Sequence, residues 1–215
     1  HRQSSAASDV YKRQIYSKPF NHLKKDKVME QLIIKLGDQI DISDRYFKNY
    51  AKAISEIIIE QQISFKAAIS IKKKFNALIS GLSDKQIIEI DDTQLKEIGI
   101  SNMKVNYIKN VYRYFQNNKI DFKKFKDNEV INMLTEIKGV GSWTAEMFLI
   151  FILFREDIFS KKDLALLNSI KKNYNINNLS NEKLDLLIES WRPYNTFASL
   201  LLWKSIEENI FYEKY

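Results

Sequence analysis

Two glycines spaced two apart in Lys138-Gly139-Val140-Gly141 separate one helical pattern from another, and a backbone of that kind can meet a phosphate. Glycine lets the main chain approach a ligand closely, and the helix that follows offers amide N–H groups with no partner inside the helix. A plain helical corner carries the same signature, because glycine commonly ends helices. Other chemistry is bounded by what is missing. With no Cys, disulfides, thiolate zinc sites and Cys-ligated iron–sulfur clusters are excluded. His1 and His22 are the only histidines, which leaves little room for a His-based metal site or triad. Catalysis must therefore rest on carboxylates, lysines or hydroxyls. Asp163, in Phe159-Ser-Lys-Lys-Asp-Leu-Ala-Leu166, is a carboxylate in the first turn of an expected helix. Capping alone would account for it, since Ser160 three residues earlier is placed to cap and an acid in the first turn suits the macrodipole.

The elements that must position these groups read as helices. Hydrophobic residues make up 45% of the chain and aromatics 13%, while only five Gly and two Pro interrupt 215 residues, which favours an all-α fold. Tyr50, Ile54, Ile57, Ile58 and Gln61 recur at helical spacing over 47–64, with Asp44 placed to cap. Ala68, Ile71, Phe75 and Leu78 form a second stripe ended by Gly81, with Lys72, Lys73 and Lys74 as a solvated face. Gly99 closes a turn begun near Thr93, and Ile108, Val111, Tyr112 and Phe115 mark another helix. Val130, Met133, Leu134 and Ile137 lead into the Gly-x-Gly turn, and 142–154 is almost wholly apolar, as befits the centre of a fold. Helices over 160–173, 184–191 and 193–208 complete the chain, with Pro193 suited to a helix start.

The formal charge of +7 and a pI near 9.3 suit a polyanionic partner. Richness in Lys, Asn and Ile together is also what an AT-rich genome produces, so charge permits nucleic acid without requiring it. No apolar run approaches a membrane span; the longest, Met147 to Phe154, is eight residues. A soluble cytoplasmic protein is expected, nucleoid-associated in a prokaryote or nuclear in a eukaryote. Residues 1–14 are read as a sequencing or assembly artefact, because Asp9-Val10-Tyr11-Lys12-Arg13-Gln14 resembles a translated transposon end. Without Arg2, Lys12, Arg13 and Asp9 the net charge is +5.

Leu134-Thr-Glu-Ile-Lys-Gly-Val-Gly-Ser-Trp-Thr-Ala-Glu-Met147 resembles the hairpin of the helix-hairpin-helix (HhH-GPD) DNA glycosylase superfamily, and specifically of the DNA-3-methyladenine glycosylase II family. Three further segments resemble that family in the same order: His22-Leu23 with Asp26, Glu60-Gln-Gln-Ile-Ser-Phe-Lys-Ala-Ala68, and Trp191-Arg-Pro-Tyr194 through Trp203. The resemblance implies a two-lobed helical fold, with residues 15–43 and 157–215 forming a terminal subdomain. By the same resemblance, residues 44–156 would form the central one, carry the helix-hairpin-helix at 130–154, and face the terminal subdomain across the active-site cleft. It implies hydrolytic excision of damaged, alkylated bases such as 3-methyladenine from duplex DNA, by a monomer with no cofactor.

Residue by residue, the resemblance makes Asp163 the catalytic carboxylate, stabilising oxocarbenium character on the sugar and orienting the attacking water. Trp143, Trp203 and Met147 line the base pocket, where indoles stack on a flipped base and favour cationic alkylated purines. Lys138, Gly139, Val140, Gly141 and Ser142 contact DNA phosphate, and Gln61 and Gln62 fill the gap left by the flipped nucleotide. No metal is implied beyond a monovalent cation at the hairpin backbone. Superfamily members that also cleave the strand carry Lys where this chain has Trp143, so the resemblance implies a monofunctional enzyme. Where the family often has Pro and Gly or Asp before the catalytic Asp, this chain has Ser160, Lys161 and Lys162. Those lysines either lower the Asp163 pKa or meet phosphate. Two other classes remain open: a non-catalytic helix-hairpin-helix DNA-binding module, and a bifunctional glycosylase/lyase.

Overall fold

The computed structural model describes the backbone of residues 6–40 and 49–213 and the side chains of 15–40, 49–64 and 66–213. Among the described residues all regular structure is helical. In chain order the helices are α1 (Ala6–Leu23), α2 (Lys27–Leu36), α3 (Tyr50–Glu60), α4 (Phe65–Leu78), α5 (Asp84–Glu89) and α6 (Asp92–Glu97). There follow α7 (Asn102–Asn117), α8 (Asp127–Thr135), α9 (Ser142–Phe151), α10 (Leu164–Asn173), α11 (Asn181–Trp191) and α12 (Asn195–Glu207). Two compact units result, one of residues His1–Ile42 with Arg155–Tyr215 and one of Ser43–Phe154.

In the unit Ser43–Phe154, α3 packs against α4, α7 and α9, α7 also packs against α5 and α6, and α8 pairs with α9. Most of the expected stripes face inward: Ile54, Ile57 and Ile58, Ala68 and Phe75, Ile108, Val111 and Tyr112, and Val130, Leu134 and Ile137 are buried, while Ile71, Leu78, Phe115 and Met133 are half-buried at the edges. Around Tyr50, the rings of Phe122 and Phe148 meet edge to face at 5.5 and 5.3 Å. Helix α9 is largely enclosed, with Thr144, Ala145 and Met147–Ile150 buried and Ser142, Trp143 and Glu146 half-buried.

Helix starts follow local chemistry. Asn49 caps α3 by accepting from the Lys52 amide at 3.0 Å; Asp44, expected to cap it, lies outside the described residues. Helix α5 was not anticipated, although Ser83-x-x-Gln86 forms a capping box that announces it. Gly81 and Gly99 end their turns with φ of +77° and +102°, a region where side chains are strained. Lys72 departs from its expected solvated face. It is half-buried and ion-paired to Glu60, because α4 folds back along α3.

In the other unit, α12 is the central helix, packing against α1, α2, α10 and α11. Small residues allow α10 to approach it closely. The Ser169 hydroxyl donates to the Leu202 carbonyl at 2.8 Å and meets the Ser205 hydroxyl at 2.8 Å, while Asn173 donates to Ser205 Oγ at 3.0 Å. Asn173 Oδ1 in turn accepts from the Tyr212 amide at 2.9 Å, so this buried polar cluster is well satisfied. Pro193 does not start a helix. It follows a cis peptide bond in the turn between α11 and α12, and α12 begins at Asn195.

Candidate functional site

The Gly-x-Gly turn joins α8 to α9, and its two glycines play different parts. Gly139 adopts φ +107°, and a Cβ there would lie 2.1 Å from the Tyr107 ring, so both conformation and space demand glycine. Gly141 has an ordinary φ of −93° and nothing within 4 Å of where its Cβ would sit. It caps α9 without a side chain to accept from the first-turn amides. The Val140 side chain is buried and its amide donates to the Ile137 carbonyl at 2.9 Å, so Val140 serves the turn itself. Lys138 is exposed, and its carbonyl accepts from Asn110 at 3.2 Å.

The turn between α3 and α4 lies against α9. Gln61 donates through Nε2 to the Thr144 hydroxyl at 2.9 Å, so its amide is directed at the protein. Gln62 is exposed and sits at φ +57°, on the left-handed side of the map. Of the two glutamines anticipated to fill a gap in DNA, only Gln62 projects outward. Trp143 is half-buried, and Met147 is 3% exposed within the packed interior of α9.

In the terminal unit, α10 starts one residue after Asp163, whose carboxylate accepts from the Leu166 amide at 2.9 Å. Ser160 was the other residue placed to fill that capping role. It is instead fully buried ahead of the helix, its carbonyl accepting from the Asp163 amide at 3.1 Å, because the chain turns once more before α10 begins. Asp163 itself is only 8% exposed. Lys161 pairs with Asp185 at 2.5 Å, both side chains being more than half exposed. Trp203 lies half-buried on α12.

The Trp191-Arg192-Pro193-Tyr194 segment now has a structural reading: it secures the loop leading to Asp163. Arg192 Nε binds Asp157 at 3.0 Å, and Asn195 donates to the same carboxylate at 2.6 Å. Thr196 donates to the Arg155 carbonyl at 2.6 Å and accepts from the Ile158 amide at 3.1 Å. Tyr194 packs edge-on to His22 with ring centres 5.4 Å apart. The far end of α10 is held as firmly. Asp26 caps α2 through Oδ1, while its Oδ2 accepts from the Tyr174 hydroxyl at 2.5 Å and the Trp191 indole at 3.3 Å. Burial beside the Asp26 carboxylate pushes the Tyr174 phenol well above its ordinary range. Sequence reasoning singled out Asp26 without its role, because its partners lie 148 and 165 residues away.

Among the described residues no cluster of His, Asp and Glu could hold a metal ion, and no helix is long and apolar enough to cross a membrane.

A family model described as HhH-GPD superfamily base excision DNA repair protein matches residues 55–193. An alkylbase DNA glycosidase-like protein of Schizosaccharomyces pombe is 33% identical over 162 residues, covering 71% of this chain and 76% of that protein. A Bacillus subtilis protein named as a DNA-3-methyladenine glycosylase is 27% identical over 162 residues; the match covers 70% of this chain but only 56% of that longer protein. A solved 3-methyladenine DNA glycosylase from Schizosaccharomyces pombe, in complex with abasic DNA, superposes with a TM-score of 0.82 at 25% identity. That superposition covers 91% of this chain and all of the other.

Proposed function

The chain belongs to the HhH-GPD superfamily of base excision DNA repair proteins, and on that premise we propose that it is a monofunctional DNA N-glycosylase releasing alkylated, 3-methyladenine-like bases from duplex DNA. The observation that carries this reading is the fixed carboxylate of Asp163, held by the Leu166 amide at the start of a helix whose other end is anchored through Asp26 and Tyr174. Breaking an N-glycosidic bond builds positive charge on the sugar, and a negative charge held without reorganisation lowers the cost of that state.

The remaining roles follow from chemistry. The open start of α9, with Gly139, Gly141, Ser142 and Lys138, takes backbone phosphate and positions the duplex without reading its sequence. Gln62 enters the space left by the extruded nucleotide. Trp143 and Trp203 supply flat, electron-rich surfaces suited to a base made cationic by alkylation. The lone pair of an indole nitrogen is delocalised into the ring and unusable for attack, so water is the nucleophile and the product is an abasic site. One monomer on one damaged duplex suffices for these steps.

The test is incubation with duplexes that each carry one lesion, following base release. Release of 3-methyladenine or a related alkylpurine is expected; binding of every duplex with release from none would leave a DNA-binding module. With borohydride present, no covalent complex should form, and strands should break only after alkali. An adduct lost on replacing Lys138 would make the enzyme bifunctional instead.

A further inference from the structure

Helix α7 contacts both elements that the proposed reading places on DNA, and it does so through every third residue. Lys104, at its start, donates through Nζ to the Ile59 carbonyl at 2.9 Å and to the Gln61 carbonyl at 2.5 Å. Tyr107, one turn on, fills the space against Gly139. Asn110 donates to the Lys138 carbonyl at 3.2 Å. Residues three apart on a helix share a ridge, so one edge of α7 runs from the Gln61-Gln62 turn to the Gly-x-Gly hairpin.

Lys104 is an unusual member of that row. Lysine normally keeps its ammonium in water, yet here burial lowers the Lys104 pKa below its ordinary value. What offsets the lost hydration is the pair of carbonyls at the C-terminal end of α3, which have no partners within the helix and sit at its negative end. The second of these carbonyls belongs to the residue before Gln62, whose φ of +57° a side chain disfavours. The Gln61 side chain ties the same turn to Thr144 on α9. Two anchors on the preceding residue thus hold Gln62 in a conformation it would not choose alone.

We propose that Lys104 is a positioning residue for base extrusion: by clamping the Ile59 and Gln61 carbonyls it holds Gln62 pointing outward, at a separation from the phosphate-binding hairpin set by the edge of α7. The proposal rests on the glycosylase reading for its consequence, though the clamp itself can be tested without it. The clamp acts before chemistry. Its value is therefore greatest when the damaged base is paired and stacked, and smallest when the base is already easy to extrude.

Lys104→Met removes the donors while keeping most of the stem, and Lys104→Arg restores them. In the free protein, amide exchange in the 60–64 turn should rise about tenfold in Lys104→Met while the 138–142 hairpin stays as it was. With alkylated duplexes under single-turnover conditions, the ratio of excision from a paired lesion to excision from the same lesion in a mismatch should fall about tenfold, with Lys104→Arg recovering most of it. Affinity for undamaged duplex should change less than twofold. Should Lys104→Met fail to fold, Lys104→Gln, which keeps one neutral donor, is read in the same assays. Unchanged exchange in the turn, or an unchanged paired-to-mismatched ratio at lowered thermal stability, would overturn the proposal. So would a parallel loss of affinity for all duplexes, which would make Lys104 a phosphate contact. A wild-type protein that releases no base defeats the glycosylase reading instead, and the exchange measurement still decides whether Lys104 holds the turn.

Discussion

Helices α9 and α10 both begin at a residue that matters to the proposed chemistry, and they use the same backbone electrostatics in opposite ways. Helix α9 is capped by Gly141, with no side chain to accept from its first turn, while α10 is capped by Asp163, whose carboxylate accepts from the Leu166 amide at 2.9 Å. Each helix N-terminus favours negative charge. On the proposed reading, one takes a charge that arrives with the ligand. The other already holds a charge of its own, fixed in place. A helix start can therefore be a binding site or a mount for a catalytic group, depending on whether the capping position has a side chain.

The largest expected effect comes from the occupied start. Asp163→Asn keeps an amide oxygen that can still cap, so folding and DNA binding should persist while base release falls about 100-fold or more. Asp163→Ala should add a loss of about 1 kcal/mol in stability from the missing cap. Near wild-type release by the Asn variant would reduce Asp163 to a capping residue, and the contrast between the two starts would disappear.

Next in size are the two glycines beside the open start, which should separate. Gly139→Ala meets both the left-handed φ and the Tyr107 ring, and a loss of roughly 2–4 kcal/mol is expected in chemical denaturation. Gly141→Ala places its methyl in open space, so stability should hold while affinity for all duplexes falls roughly tenfold through obstruction of the phosphate. Equal binding by Gly141→Ala and wild type at low salt would make the turn a corner and nothing more. The smallest effect should follow Lys161→Ala. Its ion pair with Asp185 is exposed on both sides and worth well under about 1 kcal/mol, so excision should change less than twofold. A salt-dependent drop of tenfold in affinity would instead assign Lys161 to phosphate.

The fold was legible to different degrees in different places. Stripes such as Val130, Leu134 and Ile137 announced their helices because burial on one side repeats with the helical turn. Asp163 and the Gly-x-Gly turn stood out through the company of the segments around them, and the family those segments resemble is the one whose model matches 55–193. Readings that depended on where a helix begins fared worse. Ser160 and Asp163 are both good caps by type, and only the path of the chain decided between them. Pro193 looked suited to a first helical turn, yet the turn after α11 places it two residues short of α12. Lys72 looked like one of three solvated lysines until α4 brought it to Glu60.

By itself, the sequence determined an all-helical fold, the absence of thiol chemistry, and a glycine turn opening an apolar helix, since these depend on residue types and short periods along the chain. Only the tertiary structure decided that Gly139 is demanded by Tyr107, that Lys104 closes the end of α3, and that Asp26 joins α2 to Tyr174 and Trp191. Each of these contacts joins residues tens to more than a hundred positions apart. Such pairings arise from how packed helices exclude water and satisfy one another's buried polar groups, and no local pattern encodes them.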